Sequence, residues 1–219
     1  MKYAEAVFEV AYLVFAIAAG IALLRRRKEK PACFLSGLAC LVLGLGDAFH
    51  LVPRVMRAFM PGADLTAALG FGTAVTSITM TVFYVLLDLY RRDHFGVQGE
   101  KGIWKYIIGL AAIRIVLCCF PENDWFSGQG PLLWGIIRNI PFVAIGTLAV
   151  LLWRQYGPKD AVYKRLWLAV ILSFLFYLPV VLFAHVHPMI GMLMLPKTVM
   201  YVWIICMFHR AALTEDPAA

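Results

Sequence analysis

The chain has 219 residues, of which 62% are hydrophobic and only 15% charged, with a formal net charge of +7. Soluble domains average about 25% charged and about 45–50% apolar residues, so this composition excludes an ordinary water-soluble core and points to a chain solvated by lipid. The positive charge then reads as basic membrane loops and not as a nucleic-acid surface.

A helix needs about 20 mostly apolar residues to cross about 30 Å of hydrocarbon. Seven such stretches occur, over 3–24, 32–52, 66–90, 103–120, 131–153, 163–184 and 189–208. They predict an all-α integral membrane bundle of seven transmembrane helices, with every backbone polar group satisfied inside its own helix. No Gly/Ser-rich or Pro-rich linker divides the chain, so residues 1–219 read as a single domain. The first stretch is followed by "RRRKEK" with no small-residue cleavage site, and is expected to be a span and not a leader.

Span 1 carries Glu9 about two turns from its start. Span 2 closes with "LGLGDAFHLVP" (43–53), and Asp47, His50, Arg54 and Arg57 follow at spacings of 3, 4 and 3. On a helix these make one stripe, running from depth to the surface as the wall of an entrance. Arg54 and Arg57 are expected to snorkel to lipid phosphates. Span 3 places Thr73, Thr76 and Ser77 at a similar level. Span 4 holds Arg114, span 5 Arg138 and Asn139, span 6 Tyr177, and span 7 Lys197 and Tyr201. Pro141, Pro179 and Pro196 are expected to interrupt their helices. Cys33, Cys40, Cys118, Cys119 and Cys206 form no C-x-x-C pair and read as buried small hydrophobes.

Lys and Arg set the orientation. Fourteen fall after spans 1, 3, 5 and 7, against three on the other side, which predicts an N-terminus outside and a cytoplasmic C-terminus in a multi-pass cell-membrane protein. "TVFYV" (81–85) and "TVMYV" (198–202), with "HLVP" (50–53) and "HVHP" (185–188), suggest a 3+1+3 parallel repeat of the kind found in transporters.

By depth, Glu9, Asp47, Arg114, Arg138, Asn139, Tyr177 and Lys197 share a slab about 10 Å beneath the outer face, with far fewer polar groups in the inner half. Charges at a helix centre cost about 2.5–3.5 kcal/mol each on insertion scales, so these side chains must face one another, a cavity or water. The plainest expectation is an ion-pair network, Glu9 and Asp47 against Arg114, Arg138 and Lys197. Its one surplus positive charge hints at an anionic ligand, although chloride or Glu5 would also fill the gap. Asp47 and His50 with His185 and His187 could bind a metal; the commoner reading makes the two later histidines interfacial, and no metal or cofactor is expected.

The stretch "LACLVLGLGDAFHLVPR" resembles a segment of the lysoplasmalogenase-like polytopic membrane proteins, in which an apolar helix ends in a Gly-Asp pair. The resemblance covers about 20 residues around Gly46-Asp47, and implies hydrolysis of a lipid-derived vinyl ether with Asp47 as acid or base. In that reading Asp47, His50 and Glu9 are catalytic. Arg114, Arg138, Asn139, Tyr177, Lys197 and Tyr201 bind the substrate, and the partners are membrane lipid and an anionic or amphiphilic small molecule. The alternative from the residues alone is a small-solute transporter, or a ligand-binding seven-helix protein without catalysis.

Overall fold

The computed structural model describes residues 2–60, 62–128 and 130–214. Seven helices carry the fold: α1 (Lys2–Arg25), α2 (Ala32–Phe59), α3 (Thr66–His94), α4 (Lys101–Cys119), α5 (Leu132–Tyr156), α6 (Leu166–Phe183) and α7 (Met194–Thr214). Among the described residues there is no strand. Each of the seven lies in a span long and apolar enough to cross a membrane. The shortest, α6, has 18 residues and so extends about 27 Å.

Chain neighbours are also packing neighbours from α1 to α7, and α7 returns to α1, so the helices form a closed ring. Within it α3 also touches α5, and α2 touches α7. The alternating direction of the helices gives the bundle two ends. One gathers the start of α1 and the α2–α3, α4–α5 and α6–α7 connections. The other gathers the basic connections after α1, α3 and α5.

Several boundaries differ from the sequence reading. Helix α2 runs through Pro53 to Phe59, so Asp47, His50, Arg54 and Arg57 sit on one continuous helix. Pro141 and Pro179 are likewise absorbed inside α5 and α6. Pro196 interrupts nothing, because it occupies the first turn of α7, where its missing N–H has no intrahelical partner to lose. The stretch before it, Pro188–Leu193, is a 3-10 helix. Cys119 and Cys206 are exposed on helix faces, whereas Cys33, Cys40 and Cys118 are buried.

Two glycines seat the polar stripe of α2 against α3. A methyl group added at Gly46 would collide with the Thr79 side chain, and one at Gly72 would strike the Phe49 carbonyl. The gap is closed further by Thr76, whose hydroxyl donates to the Gly46 carbonyl at 3.0 Å. The close approach brings α3 threonines within reach of His50. Deeper in the bundle, Phe83, Tyr84, Phe142, Phe174 and Tyr201 form an edge-to-face and tilted aromatic core joining α3, α5, α6 and α7.

Candidate functional site

The α1-start end of the bundle opens into a vestibule of about 650 Å³. His50, Arg54 and Arg57 line it from α2, Leu69 and Thr73 from α3, Arg138 from α5 and Val180 from α6. The connection after α4 supplies Asn123 and Trp125, and the start of α7 supplies Met194. That connection is anchored by the carbonyls left open at the end of α4. The Asn123 amide donates to Leu117 and Phe120 at 2.7 and 2.9 Å, and the Trp125 indole to Cys118 at 2.9 Å. Asp124 between them takes a left-handed φ of 47°, which an aspartate tolerates better than most residues.

Arg138 uses this connection as its holder. Its Nη1 donates to Asn123 Oδ1 at 2.8 Å, and its guanidinium lies 4.3 Å from the Trp125 ring centre. His50 is oriented by Thr73 at 3.0 Å. With the Thr73 hydroxyl donating to the Leu69 carbonyl at 2.8 Å, the threonine oxygen accepts from Nδ1–H of His50. In that tautomer Nε2 is the ring nitrogen open to the vestibule.

Arg54 does not snorkel to lipid. It is bound by Glu5 and, through Nε at 3.1 Å, by Glu9. Glu9 is thereby committed to Arg54 and is buried. Asp47 accepts the Tyr12 hydroxyl on Oδ2 at 2.7 Å. It shares an electrostatic interaction with Lys197, but no ion pair joins them.

The expected ion-pair network is therefore absent. Among the described residues no carboxylate lies within 4.0 Å of Arg114, Arg138 or Lys197. Of these three, Arg114 and Lys197 are the more deeply buried, and aromatic rings hold both. Arg114 is 1% exposed and lies 3.3 Å over the Phe142 ring, with no hydrogen-bond partner for Nε or Nη1. Lys197, 7% exposed, sits 4.6 Å from the Tyr177 ring and 5.5 Å from the Tyr201 ring. The Tyr177 hydroxyl donates to Asn139 Oδ1 at 2.7 Å, and the Asn139 amide donates to the Gly135 carbonyl.

The site thus has two storeys. Of the sequence-predicted residues, His50 and Arg138 face the vestibule; Asp47, Arg114, Asn139, Tyr177, Lys197 and Tyr201 lie beneath it. Glu9 belongs to the wall through Arg54. Tyr12, Asn123 and Trp125 were not among the predicted site residues. Tyr12 carried no signal beyond being an aromatic in an oily run. For the metal alternative there is no geometry: among the described residues no three His, Cys, Asp or Glu side chains gather in a metal-binding group.

The end opposite the vestibule, expected to hold far fewer polar groups, is not poor in them. Arg91 is fully buried in α3 and donates to Asp88 at 2.8 Å and to Glu100 at 2.7 Å. Tyr156 donates to the other oxygen of Glu100 at 2.8 Å, and its ring lies 4.7 Å from the Arg91 guanidinium. Nearby, His94 pairs with Asp160 at 2.8 Å. An acid and a base three residues apart inside "LLDLYRR" was the available signal for this cluster.

Comparison with known proteins adds no kinship: no family model, no curated protein and no solved structure matches the chain.

Proposed function

We propose that this multi-pass protein lies in the cell membrane with its N-terminus outside and binds an anionic amphiphile in the vestibule. The observation that carries the reading is the vestibule's mixed lining: Arg57, Arg138 and His50 beside Leu69, Val180, Met192 and Met194. Its volume of about 650 Å³ suits a ligand of that kind, since small-molecule pockets run about 300–1,000 Å³. An anionic head would meet the two arginines, while the apolar portion lies against α3, α6 and the start of α7. The excess of Lys and Arg at the opposite end supports placing the opening at the outer face.

A second reading, hydrolysis of that amphiphile, is favoured by one specific feature. His50 faces the vestibule with Nδ1 engaged and Nε2 able to take a proton. Asp47, the residue on which the lysoplasmalogenase-like resemblance rests, lies one turn below it. In this reading His50 is the acid or base in contact with substrate, and Asp47 sets the field beneath it.

Lysophosphatidate and lysophosphatidylcholine binding to protein in nanodiscs tests the first reading. Preference for the anionic headgroup, with affinity falling about tenfold in Arg138→Gln, is expected from loss of a charge-assisted contact. Equal binding of both lipids, unchanged in Arg138→Gln, contradicts it. Product detection by mass spectrometry tests the second: His50→Gln and Asp47→Asn should abolish cleavage while binding persists. Flux of the ligand across liposomes without cleavage would assign transport instead.

A further inference from the structure

Beneath the vestibule, two buried cations share one cluster of aromatic side chains, called the chamber below. Arg114 and Lys197 repel one another, and Arg114 interacts electrostatically with Tyr177 and Tyr201, the same two rings that flank Lys197. Asp47 is the one acid interacting with Lys197, and Tyr12 already occupies its Oδ2. Two cations against one acid leave a positive charge unanswered. Arg114 hydrogen-bonds the uncharged Cys118 thiol, but its Nε and Nη1 lack acceptors although the side chain is 1% exposed. A buried charge without a partner is costly, and cation–π contacts worth about 0.5–2 kcal/mol do not offset it.

The cluster lies directly beneath the vestibule lining in helical register. Asp47 lies three residues before His50, Tyr177 three before Val180, and Lys197 three after Met194. Three helices therefore each place a chamber residue about one turn, some 5 Å, below a vestibule residue.

We propose that the chamber is a binding site for a compact oxyanion, a carboxylate or phosphate, held by Arg114 and Lys197 with the tyrosines as its walls. Arg114 supplies a charge-assisted donor from its open Nε or Nη1, which lie on different edges of the guanidinium, and Lys197 supplies the second charge. This rests on the vestibule reading and deepens it: an anion that meets Arg57 and Arg138 on entry comes to rest one turn deeper, on Arg114 and Lys197.

The test is thermal unfolding of the purified full chain in detergent, titrated at constant ionic strength with acetate, inorganic phosphate, oleate or lysophosphatidate against gluconate. A saturable rise in Tm with at least one probe is expected, because a ligand of the native state stabilises it by mass action. Acetate or phosphate sufficing identifies a free anion; a response to oleate or lysophosphatidate alone identifies a lipid headgroup. Arg114→Gln and Lys197→Met should each weaken the response by about tenfold or more. Lys197→Met should also unfold no earlier than wild type in gluconate, since it removes an unanswered charge. No saturable rise with any probe overturns the proposal, and so does a rise that Lys197→Met leaves unchanged. Equal binding of both lipids, unchanged in Arg138→Gln, with this response intact would count against the vestibule reading alone.

Discussion

The two ends of the bundle each bury arginine, and they handle it in opposite ways. At the basic end, Arg91 meets two carboxylates, and Tyr156 closes the group by donating to Glu100. Charge there is answered within the protein, and the cluster ties α3 to the start of α4 and the end of α5. At the vestibule end, Arg114 and Lys197 meet rings. Arg54 is the exception, clamped by Glu5 and Glu9 into the wall. Structural cations are thus matched by acids, whereas the cations beneath the vestibule are supported by groups that position charge without neutralising it. A ring face leaves the N–H groups of a guanidinium open to a ligand; a carboxylate does not.

The largest expected effect breaks the comparison at the basic end. Arg91→Met leaves Asp88 without its ion-pair partner and Glu100 with only Arg92 at 3.7 Å, and should cost about 3–5 kcal/mol, read as a large fall in Tm or loss of folded protein. An Arg91→Met protein as stable as wild type would erase the distinction between the ends. Next comes the seat of the stripe. Gly72→Ala drives a methyl into the α2 backbone and should cost about 1–3 kcal/mol and disturb ligand binding through His50. Smaller still, Tyr12→Phe removes one donor to Asp47 and should cost about 1 kcal/mol by the same Tm measurement.

The smallest effect is a pH dependence at Glu100, which lies between α3 and α4. Burial raises its pKa, but hydrogen bonds from Arg91 and Tyr156 and the charges of Arg91 and Arg92 outweigh burial and hold it below the usual glutamate range. A carboxyl depressed on folding contributes stability that is complete above its unfolded pKa and is lost as pH falls through the folded value. Tm should therefore decline on acidification below about pH 4.3, and Glu100→Gln should flatten that decline.

Seven spans and the stripe on α2 were legible because length, hydropathy and the helical period are local properties. Depth was legible too: Asp47, Arg114, Tyr177 and Lys197 converge as rise per residue requires. Partner choice was not. Counting residues along a helix says how deep Glu9 lies but not that α2 packs beside α1, which hands Glu9 to Arg54 and not to Arg114. Nor does it reveal that Phe142 and Tyr177 stand where carboxylates were expected. Arg91 looked like a loop cation because it ends an apolar run. The structure continues α3 past it to His94 and buries it against Asp88 and Glu100.

The central claim is that a bound anion, and not a protein carboxylate, answers the buried cations beneath the vestibule. An experimental density map of the protein purified without chelating or competing anions tests this most directly. The account predicts a compact non-protein feature within hydrogen-bonding distance of Arg114 Nε or Nη1, on the side facing Lys197. Asp47 or Glu9 swung onto Arg114, with no such feature beside it, would contradict it.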